Sequence, residues 1–97
     1  MGGQEPTPKF DLPAYLHKNL RYPSEAKQKK IEGRVIVKFF VDENGKVGDV
    51  IIVRGIGGGC DQEAERVVKL MPRWKPGMQN AKVVRAYCML PIQFTLN

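Results

Sequence analysis

What this chain of 97 residues has little of narrows its chemistry first. It has a single histidine, His17, so no histidine pair stands ready for a metal or a proton relay. Its two cysteines, Cys60 and Cys88, lie far from any CxxC spacing, which excludes a paired zinc or redox motif. Ser24 and Thr95 have no histidine–acid set to activate them. No stretch approaches the roughly 20 apolar residues of a membrane span, and no charged, apolar, cleavable leader opens the chain. An enzyme, a bound metal and a cofactor are therefore not expected.

Acidic residues are also short in number, 10 against 16 lysines and arginines, leaving a net charge of +6. The excess lies toward the front, at Lys9, Lys18, Arg21, Lys27, Lys29, Lys30, Arg34 and Lys38. Such a surplus suits an anionic partner, whether nucleic acid, membrane or cell wall, though a solvated basic surface explains it more simply. Nucleic-acid binding would need cations interleaved with aromatics on one sheet face. Arg34, Lys38 and Phe40 are the nearest approach, and nucleic acid is not the expected partner.

What is present is the pattern of one small domain over residues 12–97, behind a Gly/Pro-rich opening, residues 1–11, that reads as the end of a linker. Leu12, Tyr15, Leu16 and Leu20 recur at helical spacing, with Pro13 tolerated in a first turn. A second short helix follows Tyr22–Pro23, acidic at its start and basic at its end, with Gly33 offering a left-handed cap. Val35, Val37, Phe39 and Val41 then alternate with Arg34, Ile36, Lys38 and Phe40, a strand with one buried face. The run DENG is a turn, and the return strand spans residues 47–54. The facing of that return strand stays open, because Ile51 and Val53 oppose Val50 and Ile52 without a polar side.

The run GIGGG lacks both the Lys-Ser/Thr of a phosphate loop and the GxGxxG order of a dinucleotide turn, and reads as a connector. A helix follows, with Asp61 and Glu63 in its first turn and Ala64, Val67, Val68 and Met71 on one face, ending at Pro72. Trp74 is expected in the core, and residues 73–82 form a turn-rich connector.

A long alternating segment closes the chain, with Val84, Ala86, Cys88, Leu90, Ile92, Phe94 and Leu96 on its apolar side. Pro91 within it cannot donate to a ladder, which predicts an edge strand, with a bulge allowed there. On this face Cys88 behaves as a small hydrophobe; in an oxidising compartment Cys60 and Cys88 could instead form a disulfide. The expected fold is α+β and two-layered. Its three-stranded antiparallel sheet has the first strand central, the last at an edge, and helices packed on one face.

The sequences YPSEAKQKKIEGRVIVKFFVDENGKVGDVIIVRG, CDQEAERVVKLMPRWKPG and LPIQFTL, in this order, resemble the C-terminal domain of TonB-type energy transducers. The likeness runs from about Leu20 to Leu96. One departure is Ala81 after Asn80, where a glycine is common. The resemblance implies a non-catalytic periplasmic domain, tethered to an inner-membrane helix and through it to a proton-driven motor. It further implies binding of the N-terminal box peptide of outer-membrane receptors, added as a strand beside the last strand. The residues implied are Asn19, Leu20, Arg21, Tyr22 and Pro23 ahead of the second helix, and Val84, Arg85, Ala86, Tyr87, Cys88, Met89 and Leu90 along the strand. The alternative is a structural envelope module that dimerises or tethers through the same exposed edge.

Overall fold

The computed structural model describes residues 2–96. Its elements are β1 (Gly3–Gln4), β2 (Thr7–Pro8), α1 (Leu12–Asn19), α2 (Ser24–Gln28), β3 (Gly33–Val41), β4 (Val47–Arg54), α3 (Cys60–Lys69), β5 (Trp74–Lys75), β6 (Gly77–Gln79), β7 (Lys82–Val84) and β8 (Ala86–Phe94). The main sheet runs β4-β3-β8, with both pairings antiparallel. The first long strand is thus central and the last lies at an edge, as the hairpin-plus-helix order predicts.

Alternation along β3 explains the core. Val35, Val37, Phe39 and Val41 are wholly buried and meet Ala64, Val67 and Val68 of α3, while Ile92 and Phe94 complete the floor from β8. Trp74 closes one end, its ring 5.3 Å from Phe39 at an interplanar angle of 70°. Edge-to-face rings of this kind favour each other beyond simple burial.

The turn between β3 and β4 is held by Asp42, whose carboxylate accepts from the amides of Asn44 (2.8 Å) and Lys46 (2.9 Å). Gly45 is required there twice over. Its φ is +84°, and a β-carbon would lie 2.1 Å from the Trp74 carbonyl oxygen.

Several local details depart from the sequence-based expectation. The left-handed residue after α2 is Lys30 (φ 55°), because the helix ends at Gln28, well ahead of Gly33. In β4, Val47, Val50 and Ile52 pack on the core. Asp49, at φ 54°, lies where the β3–β4 register shifts, between Lys38 and Phe40. A bulge of this kind adds a residue and resets the alternation, which is why no single period fits the strand.

The connector after α3 is not merely turns. Trp74 and Lys75 pair with Pro8 and Thr7, and β6 and β7 form a hairpin whose turn is Asn80–Ala81. The opening segment, read as linker, lies on the body: Gly3 and Gln4 pair with Gln79 and Met78. Phe10 continues this strap, its ring 6.3 Å from Trp74 and 5.4 Å from Tyr15. Both cysteines are free, Cys60 buried and Cys88 half-buried.

Candidate functional site

α1 starts at Asp11, whose carboxylate caps the amide of Ala14 at 3.0 Å, with Pro13 in the first turn. Its apolar stripe is wider than the core needs. No residue of the helix is fully buried, and Leu12 and Leu16 are left half-covered. Between this stripe and the last residues of β8 runs an open groove of about 500 Å³. Leu12, Leu16 and His17 form its helix wall, Leu20 and Tyr22 its end, and residues 91–95 its strand wall.

Tyr22 fixes the groove's end. Its ring stands edge-on to Phe94, with centroids 5.6 Å apart and an angle of 89°, and its hydroxyl donates to the Ile31 carbonyl. Burial of the ring pushes the phenol up from its ordinary pKa.

The turn before Tyr22 is pinned to α3 by an ion pair. The Arg66 guanidinium donates to the Glu63 carboxylate at 2.9 and 2.8 Å and to the Asn19 carbonyl at 2.9 Å. The second Glu63 oxygen also accepts from the Arg21 amide at 2.7 Å. These contacts, the Arg66 side chain first, hold the Glu63 carboxyl below its usual pKa despite the opposing effect of burial.

The expected site residues thus divide. Leu20 and Tyr22 reach the groove. Asn19 spends its side-chain amide on the Tyr15 carbonyl (2.8 Å), Arg21 its main-chain amide on Glu63, and Pro23 lies against Gly59 of the glycine loop. Along the strand, Ala86, Cys88 and Leu90 turn inward and Tyr87 and Met89 outward. Val84 belongs to β7 and pairs with Gly77, and Arg85 interrupts the two strands.

Ala86 is opposite Val41, at the far end of β3 from Phe94. At 3.4 Å per residue, the start of β8 is therefore on the order of 25 Å from Tyr22. The structure brings Leu20 and Tyr22 to residues 91–95, not to residues 84–90. Leu12, Pro13, Leu16, His17 and residues 91–95 are the groove residues that the sequence reading of the site missed. For Leu12 and Leu16 the signal was the apolar helical spacing, which looks the same whether a stripe is covered or half-open; the residues at the end of β8 carried no such signal.

Pro91 sits opposite Ile36 in a β3–β8 register that runs without a shift from Gly33–Phe94 to Val41–Ala86, so the bulge allowed there is absent. An unbroken ladder accommodates proline where its nitrogen faces outward. The open edge of β8 therefore lacks one donor, beside the groove.

The glycine loop is occupied from within. Asp61 accepts from the amides of Ile56 (2.8 Å) and Gly57 (3.3 Å), filling the place an anion would take. Among the described residues no three His, Cys, Asp or Glu side chains converge as metal ligands, and no helix is long and apolar enough to cross a membrane.

A family model described as the Gram-negative bacterial TonB protein C-terminal matches residues 18–96. Two NMR solution structures of the Helicobacter pylori TonB C-terminal domain are similar in fold. One is 22% identical with a TM-score of 0.65, and the match covers 89% of this chain and 78% of that one. The other is 20% identical with a TM-score of 0.59, covering 87% and 88%. No curated protein sequence matches the chain.

Proposed function

The chain belongs to the Gram-negative bacterial TonB protein C-terminal family, and we propose that it is the periplasmic, receptor-gripping end of an energy transducer. In this reading the N-terminal box peptide of an outer-membrane receptor adds as a strand to the open edge of β8. One end of the peptide lies over the groove beside α1. The observation that carries this is the conjunction of an unpaired strand edge with an apolar groove of about 500 Å³ along it.

Strand addition draws its affinity from main-chain hydrogen bonds, so it tolerates varied peptides, while the groove selects one or two side chains. Outward main-chain groups alternate along a strand, so the amides of Tyr87, Met89 and Gln93 share the edge of the Pro91 nitrogen. The guest ladder is thus interrupted at Pro91 and resumes at Gln93, where the groove takes over. No bond is made or broken. Force from an anchored upstream segment, driven by the inner-membrane motor, would reach the peptide through several backbone bonds, each worth about 1 kcal/mol net.

The test is titration with a receptor-box peptide while following backbone amide shifts. Shifts at Tyr87, Met89, Gln93, Leu16 and Leu20 are expected. If these stay still while another surface responds, the reading fails. Self-association without peptide binding would favour the envelope-tether alternative.

A further inference from the structure

The helices cover one face of the β4-β3-β8 sheet and leave the other bare. On that bare face the register sets residues in rows across the strands. Phe40 stands between Gly48 and Tyr87, Lys38 between Ile51 and Met89, and Ile36 between Arg54 and Pro91, with Arg34 beside Gln93. The middle of the face is apolar and open to solvent: Ile51 is 47% exposed, Tyr87 54% and Met89 58%. Gly48 is part of its design, since a β-carbon there would lie 2.5 Å from the Phe40 ring.

Around this floor cations outnumber carboxylates, although Asp42 in the β3–β4 turn lies within electrostatic reach of Arg85. Arg34, Lys38 and Arg54 lie on the strands and Arg85 just ahead of β8, while the three strands carry a single carboxylate, Asp49, at the bulge of the edge strand β4. The Arg85 guanidinium sits 4.2 Å from the Phe40 ring centroid and the Lys38 ammonium 4.8 Å from that of Tyr87. Those ring faces are taken, so the aromatics are not a free platform for stacked bases.

We propose that this face rests on an anionic lipid surface, with Ile51, Tyr87 and Met89 at the headgroup–acyl boundary and the four cations among the lipid phosphates. Long basic side chains lay their stems on apolar ground and lift their charge to a polar layer, as such a boundary requires. A peptide strand would pair at an edge rather than lie on a sheet face. A second copy of this chain would set the same cations against each other. The face meets the groove beside α1 only at Pro91 and Gln93, and Ile51, Tyr87, Met89 and the four cations lie outside the groove's lining, so this inference does not rest on the function proposed for that groove.

The test is cosedimentation of the chain with phosphatidylglycerol vesicles and with phosphatidylcholine vesicles, at low and at physiological salt. Binding to the anionic vesicles alone, weakening with salt, is expected. Each basic residue near such a surface is worth about fivefold in partition, so Lys38→Gln with Arg85→Gln should lower it about thirtyfold. The exposed pair Arg34→Gln with Arg54→Gln should do the same, which guards against misfolding of the first variant. Lys27→Gln with Lys30→Gln on the α2 side should change little. The proposal is overturned if anionic vesicles do not bind, or if the α2 pair costs as much as either sheet pair. Preferential binding of polyglutamate or a single-stranded oligonucleotide over the vesicles at equal salt also overturns it.

Discussion

The Tyr15 hydroxyl donates to the Val67 carbonyl at 2.7 Å, tying the helix that walls the groove to the helix that covers the core. Val67 lies in the last turns of α3, where a carbonyl can accept from outside its own ladder. Tyr15→Phe removes the donor and keeps the ring against Phe10. We expect a loss of about 1 kcal/mol in urea denaturation. Peptide affinity should fall as well, because α1 loses its one hydrogen bond to the body of α3 from this ring.

Glu63 gives the domain an acid-sensitive element. Its folded pKa lies below the ordinary value near 4.5, chiefly through Arg66. A depressed carboxyl contributes stability above its unfolded pKa and loses it as pH falls through the folded one. Glu63→Gln should therefore cost on the order of 2 kcal/mol at pH 7. Stability curves of the two proteins measured from pH 7 down to pH 3 should converge at the acid end.

The hairpin turn between β6 and β7 places both Asn80 and Ala81 in the left-handed region, at φ 51° and 65°. Asparagine tolerates this and alanine does not, for want of any side-chain compensation. Ala81→Gly should raise stability by roughly 1 kcal/mol, read as a higher denaturation midpoint at unchanged slope. The departure from glycine at this position is thus borne by backbone strain rather than by a different turn.

Pro91 offers a direct check on the edge reading. Pro91→Ala supplies the missing outward N–H, and one added backbone bond is worth about 1 kcal/mol, or roughly fivefold in peptide affinity. Calorimetric titration should show that gain, and sedimentation should show more self-pairing of the unblocked edge. Unchanged affinity would mean that the guest strand does not pass residue 91.

Trp74 reports on the N-terminal strap. It is the sole tryptophan, 5% exposed, with Phe10 and Pro8 against it. Removing residues 1–10 should shift its fluorescence to the red and open it to acrylamide quenching. If emission is unchanged, the strap does not shield the core.

The long elements were legible because each carries its own periodicity. Val35, Val37 and Phe39 could face only the core, and Pro91 could sit only on a strand at the sheet's edge. The short pairings were not legible, since Gly3–Gln4 or Trp74–Lys75 contain too few residues for a period and gain their partners only through distant chain. The facing of β4 was hidden because Ile51 and Val53 are as apolar as Val50 and Ile52, and the bulge at Asp49 puts Val47 out of step with them.

By itself the sequence determined the order of the helices and of the three long strands, the buried face of β3 and the edge place of β8, for these follow from side chains repeating at fixed intervals. Only the tertiary structure decided that the groove runs beside residues 91–95 and that Tyr22 meets Phe94 rather than the start of the strand. The reason is physical. A periodic stripe states which side of an element is apolar, but how far a neighbour covers that stripe depends on where the packed body places the neighbour.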